Sequence, residues 1–149
     1  MNKYRNMERA IELAENAMEN GNTPFGAVIV KDGAIIAEAE NQVTSKCDIT
    51  AHAELNVIRK ATTQLGSNDL SECELYASGE PCSMCLSAIY YSNLKNVYVA
   101  YRKEEAMKYK LTTNYIYEQV TLEEEKRDIR YIDLRPERKT HLYEYWKRK

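Results

Sequence analysis

The chain has 149 residues and a formal net charge of −2 at pH 7, with a sequence pI near 5.8. That length buries one core, so residues 1–149 are read as a single domain. The acidic balance argues against a dedicated nucleic-acid binder, which carries a basic face. No apolar run approaches the roughly 20 residues that span a bilayer, and the charged start is not a signal core. A cytoplasmic protein without membrane contact is expected, and in that compartment closely spaced cysteines are more often metal ligands or redox centres than disulfides.

Residues 2–20 place Tyr4, Met7, Ala10, Ile11, Ala14, Ala17 and Met18 at helical spacing with charges between them, an amphipathic helix that Gly21 ends. Thr23-Pro24-Phe25-Gly26 turns the chain into the apolar run 27–30. Asp32-Gly33, between two β-rich runs, signals a hairpin whose second arm covers residues 35–41. Residues 42–50 read as a polar loop. Thr50 is placed to cap a helix from Ala51 to about Leu65, with Glu54 in its first turn, and Gly66-Ser67-Asn68-Asp69 stops it.

Residues 73–78 form a short strand, Gly79-Glu80-Pro81 a turn, and residues 82–91 a helix with Leu86, Ile89 and Tyr90 on one side. A strand over 97–101 and a short helix over 102–110 follow. Residues 111–120 show no single period, and 122–127 are charged. Residues 129–134 alternate as a fifth strand, and Pro136 opens a last helix, whose bases and aromatics near Trp146 read as a solvated face. Helices alternating with strands predict an α/β fold: a three-layer α/β/α sandwich on a mixed five-stranded sheet.

The chemistry concentrates in His52-Ala53-Glu54 and, about thirty residues later, Pro81-Cys82-Ser83-Met84-Cys85. A Cys-x-x-Cys pair alone has low specificity. The chain, however, holds only two histidines and four cysteines, and Cys47 and Cys73 have no spacing partner. A four-ligand structural zinc therefore lacks its ligands. His52 and Cys82 each open a predicted helix, where the partial positive charge of the terminus favours thiolates. His52, Cys82 and Cys85 around one Zn2+ per chain leave the fourth tetrahedral position to water, the arrangement of a catalytic site. Two thiolates weaken the metal as a Lewis acid, so its water needs a base. Glu54, two residues beyond His52, is that base and later the acid.

The two motifs resemble the signature of the zinc-dependent deaminase superfamily. Pro24-Phe25-Gly26-Ala27-Val28-Ile29-Val30, Thr50-Ala51-His52-Ala53-Glu54, Glu80-Pro81-Cys82-Ser83-Met84-Cys85 and Ala88-Ile89-Tyr90 are similar to the bacterial guanine deaminases. The likeness covers about residues 5 to 120 and loosens after Tyr101. It implies a cytidine-deaminase-like sandwich, often a homodimer, that hydrolyses the exocyclic amine of a free nucleobase to a carbonyl and ammonia. It also implies that Asn41 hydrogen-bonds the base, that Phe25 packs on its ring, and that the N–H of Ala53 faces it. In those enzymes an aspartate is expected just before the segment matching Tyr115-Ile116-Tyr117; this chain has Thr112-Thr113-Asn114. Guanine is thus the first expectation, with cytosine or another base as an alternative. A tRNA adenosine deaminase and a non-enzymatic structural-zinc or redox module remain further alternatives.

Overall fold

The computed structural model describes residues 2–148. Its sheet has four strands, β1 (Gly26–Lys31), β2 (Ala34–Glu40), β3 (Cys73–Gly79) and β4 (Asn96–Tyr101), in the order β2-β1-β3-β4. β1 is antiparallel to both β2 and β3, whereas β3 and β4 are parallel. The β1–β2 turn is Asp32-Gly33, with φ of 51° and 77°. Two positive φ values give the turn whose twist matches the flanking strands, which an Asp-Gly pair tolerates.

β1 is buried along nearly its whole length, so each of its faces needs a covering layer. On one face Val28 and Val30 join Tyr76 of β3 and Leu13 of α1 (Lys3–Glu19), with Met7 and Tyr98 at the margin. On the other, Ala27, Ile29, Ala37, Ala39 and Leu75 meet two more helices. These are α3 (Ala53–Leu65), through Ala53, Val57, Ile58 and Ala61, and α4 (Ser83–Tyr91), through Ile89. A short helical turn, α2 (Val43–Lys46), lies within the polar loop before α3. The mixed three-layer sandwich is therefore present.

The sheet has four strands and not five. Residues 129–134 alternate as a strand should, but they find no sheet edge to pair with. Ile129 is 74%, Ile132 85% and Leu134 92% exposed. Period-two patterning records a side's preference for burial; it does not supply a neighbouring strand. The last helix, α7 (Leu142–Lys147), starts later than Pro136 suggests. Residues 103–108 form α5 (Lys103–Lys108), and the stretch without a clear period contains α6 (Tyr115–Thr121).

The start of α3 also differs. Thr50 donates its hydroxyl to Asp48 Oδ1 at 2.6 Å and does not cap the helix. His52 is the N-cap residue, without a side-chain cap bond, because its ring is turned toward two cysteines.

Gly26 is where α1 crosses closest to the sheet. A Cβ there would lie 2.1 Å from the carbonyl oxygen of Ala10 and 2.6 Å from the amide nitrogen of Ala14. Backbone atoms of a helix cannot swing aside, so Gly26→Ala must push α1 off the strand. Overpacking of this kind costs roughly 1–3 kcal/mol, and we expect the upper end in urea unfolding. A midpoint equal to that of the parent chain would contradict the close approach.

Candidate metal centre and base cavity

His52 precedes the first turn of α3, Cys82 is the N-cap of α4, and Cys85 lies in the first turn of α4. Both helices rest on the same sheet face, so their N-termini converge. His52 Nδ1 lies 3.5 Å from Cys82 Sγ and 3.5 Å from Cys85 Sγ. The three ligand atoms all fall within 4.8 Å of one another. A tetrahedral zinc with Zn–S of about 2.3 Å and Zn–N of about 2.05 Å needs nitrogen and sulfur about 3.5 Å apart. The donor set and its spacing fit that ion. Among the described residues no other group of His, Cys, Asp or Glu side chains has this geometry.

All four cysteines are free. Cys82 and Cys85 share a proton unequally. The neighbouring Cys85 thiol holds Cys82 down at about 4 against the effect of burial, with His52 assisting. Cys85, fully buried, is pushed up by Cys82 and by burial. Contact with Cys82 raises His52 in turn. Metal ligation needs deprotonated thiols, and the downward shift of Cys82 favours that form.

Glu54 lies in the first turn of α3, two residues beyond His52, and is only 5% exposed. Burial pushes its carboxyl up to about 7; the Cys82 sulfur adds to this, while its own backbone amide and His52 pull the other way. A carboxylate in so dry a place costs several kcal/mol unless a charge compensates it. It stands beside the three ligands without belonging to the cluster.

The site opens into a cavity of about 200 Å³, whose wall includes Phe25, Asn41, His52, Glu54 and Cys82. Asn41 is 4% exposed, and its Oδ1 accepts the Val43 amide at 3.1 Å, while Nδ2 donates to no partner among the described residues. Ala53 is fully buried and lends no side chain to the wall; its N–H is among the first-turn amides without an intrahelical partner. A larger depression along residues 134–143 contains none of these groups.

Several wall residues were not singled out from sequence. Glu80, Lys103 and Thr112 line the cavity, whereas Thr113 is exposed and accepts only the Tyr115 amide at 3.4 Å. The side chain facing the cavity from the segment expected to hold an aspartate is thus Thr112. Tyr117, from α6, donates its hydroxyl to the Pro81 carbonyl at 3.1 Å, tying α6 to the cysteine turn. Burial, helped by Cys82, Glu80 and Glu54, pushes its phenol up to about 12. Burial opposes the charge of Glu80, but hydrogen bonds from Arg102 and the Lys103 amide outweigh it and hold the carboxyl below the usual range. In the sequence Glu80 is marked only as the first residue of the Glu80-Pro81-Cys82-Ser83-Met84-Cys85 motif, with no role attached; α5 and α6 carry no motif.

Metal analysis tests the donor set directly. The purified chain is expected to hold one zinc per protomer, and His52→Ala or Cys85→Ser should lose it on dialysis against a chelator. Stoichiometric zinc in both variants would contradict the assignment.

A guanine deaminase of Bacillus subtilis (strain 168) is 44% identical over 135 residues, covering 90% of this chain and 86% of that protein. The X-ray structure of guanine deaminase from Bacillus subtilis superposes with a TM-score of 0.92 at 41% identity, covering 100% of this chain and 96% of that one. A tRNA-specific adenosine deaminase of Aquifex aeolicus (strain VF5) is 42% identical over 97 residues, 65% of this chain and 64% of that protein. Residues 1–101 match the family described as the cytidine and deoxycytidylate deaminase zinc-binding region. With the zinc-ligand geometry above, this match over two thirds of the sequence places the chain in the cytidine and deoxycytidylate deaminase zinc-binding family.

Proposed function

We propose that this chain is a hydrolase acting on the C–N bond of a cyclic amidine, and that its substrate is free guanine, converted with water to xanthine and ammonia. The observation that carries the choice of base is the end-to-end likeness to Bacillus subtilis guanine deaminase, which covers the whole of this chain. The tRNA-specific deaminase of Aquifex aeolicus matches 65% of it. The cavity of about 200 Å³ is below the roughly 300–1,000 Å³ of drug-sized sites, which suits a single heterocycle better than a nucleoside.

His52, Cys82 and Cys85 would hold zinc, which when bound supplies Lewis acidity and lowers the pKa of a water toward neutrality. Glu54 takes a proton from the attacking water. It delivers that proton to the ring nitrogen beside the amine-bearing carbon, then carries the proton of the added hydroxyl to the departing amine, so the carboxylate is regenerated in each cycle. Burial suits Glu54 to this work, because a carboxyl poised near neutral pH both accepts and donates. Phe25 stacks on the base, Asn41 Nδ2 donates to a ring acceptor, and the N–H of Ala53 faces the ring from the start of α3.

Glu54→Ala is expected to retain zinc while ammonia release from guanine falls by about 10²–10⁴-fold or more. Turnover at the parent rate would remove Glu54 from the proton path. The same assay across free bases and nucleosides fixes the substrate: faster release from cytosine, or inosine formation in a tRNA anticodon stem-loop, would replace guanine.

A homodimer in the cytoplasm completes this reading. Four free cysteines suit a reducing compartment, and no described helix is long and apolar enough to cross a membrane. Ile129, Ile132, Leu134, Leu142 and Trp146, all from the last 21 residues, are each at least 71% exposed, apolar surface of the kind that marks an interaction site when it is contiguous. A second copy covers it. Sedimentation should give a dimer, and truncation after residue 127 should give monomers; a monomeric full chain would refute this.

A further inference from the structure

Two charged side chains in the cavity wall take no part in holding metal or moving protons. Glu80 Oε1 accepts from Arg102 Nε at 2.8 Å and from the Lys103 amide at 3.1 Å. Its second oxygen, Oε2, makes no hydrogen bond among the described residues. Lys103 Nζ stands 4.3 Å from the centroid of the Tyr117 ring, and no carboxylate is in ion-pair range of it among the described residues. Because the Tyr117 hydroxyl is anchored on the Pro81 carbonyl, the ring is a fixed seat for the ammonium. A cation on an aromatic face keeps its N–H donors for another partner.

The wall thus carries an acceptor without a donor and a donor without a carboxylate, on two residues joined by the bond from the Lys103 amide to Glu80 Oε1. A lactam edge, –NH–C(=O)–, is the complement of that pattern: its N–H meets the carboxylate and its carbonyl meets the ammonium. An amidine edge, –N=C(NH2)–, is the reverse, placing a lone pair against the carboxylate and an amine against the ammonium. Thr112 cannot provide the charged acceptor expected from its segment; Glu80 brings one to the same cavity from another part of the fold.

The geometry points to Glu80 Oε2 and Lys103 Nζ as a paired acceptor and donor that select amino-heterocycles bearing a lactam, such as a 2-amino-6-oxopurine. This assignment rests on the free-base reading above and specifies which edge of the base is recognised. Glu80 also braces the turn before Cys82 through Arg102, so loss of activity in a Glu80 variant alone is not diagnostic. The discriminating readout is the ratio between two bases that differ only at that edge.

Guanine and 2,6-diaminopurine are such a pair. For the zinc-loaded chain, kcat/KM for guanine should exceed that for 2,6-diaminopurine. In Lys103→Met the guanine value should fall about 10- to 100-fold, the range for a charge-assisted hydrogen bond, with the change mainly in KM. The 2,6-diaminopurine value should hold or rise, while Lys103→Arg should restore most of the preference. Zinc content and Tm should match the parent. An unchanged ratio in Lys103→Met overturns the pairing; if that variant fails to fold, Lys103→Leu, which also lacks a donor, gives the same reading.

If the parent chain releases no ammonia from guanine, the guanine assignment fails, and calorimetric binding of hypoxanthine and adenine decides this one separately. Hypoxanthine carries the lactam edge and adenine the amidine edge, so a preference for hypoxanthine that Lys103→Met abolishes supports the pair. Equal affinity for the two, or binding of neither, overturns it.

Discussion

Everything in this molecule depends on keeping two sulfurs and one imidazole nitrogen together, with both nitrogen–sulfur separations at 3.5 Å. Neither helix could do this alone. Cys82 and Cys85 share one turn of α4, but His52 arrives from a helix begun some thirty residues earlier. The two N-termini meet because α3 and α4 pack on the same side of the sheet. Where they rest, the strands supply Ala27, Ala37 and Ala39, and α3 supplies Ala53 and Ala61. Small side chains let helix and strand backbones approach closely, so that core is itself part of the ligand geometry.

The same packing creates an electrostatic tension. Seating α3 this deep buries Glu54, which alone would be a penalty. The adjacent ligand set offers a way to offset it, since a cation there is a countercharge within reach. Fold stability and proton chemistry thus pull on one carboxylate from opposite sides. Phe25 shows a second such link. A Cβ at Gly79 would meet its ring at 2.7 Å, so the absence of a side chain on β3 lets the ring lie over the strand end and form the cavity wall. Gly26, one residue on, makes room for α1.

Beyond Tyr101 the organisation changes. α5 and α6 contribute no buried residues, and they touch the body through individual polar contacts. The Tyr117 hydroxyl rests on Pro81, the Lys103 ammonium on the Tyr117 ring, and the Lys103 amide on Glu80. A wall held this way can exchange its side chains without disturbing the core. That separates the metal-ligand geometry, set by α3 and α4, from the part of the cavity wall that Lys103 of α5 supplies.

The sequence by itself determined the parts whose signal is local. Helical spacing before Gly21, the Asp32-Gly33 turn, and the His52-Ala53-Glu54 and Cys82-Ser83-Met84-Cys85 motifs each follow from short-range rules of backbone geometry or ligand chemistry. The scarcity of other histidines and paired cysteines made the three-ligand set readable as well. Tertiary structure decided what depends on neighbours distant in sequence. Residues 129–134 alternate like a strand, yet a strand exists only where a partner edge is free to pair with it. Thr50 had the chemistry of a cap, but Asp48 took its hydroxyl. Thr112 and not Thr113 turned inward, and Glu80 and Lys103 reached one cavity from either side of β4, because a cavity wall is a property of packed surfaces and has no period along the chain.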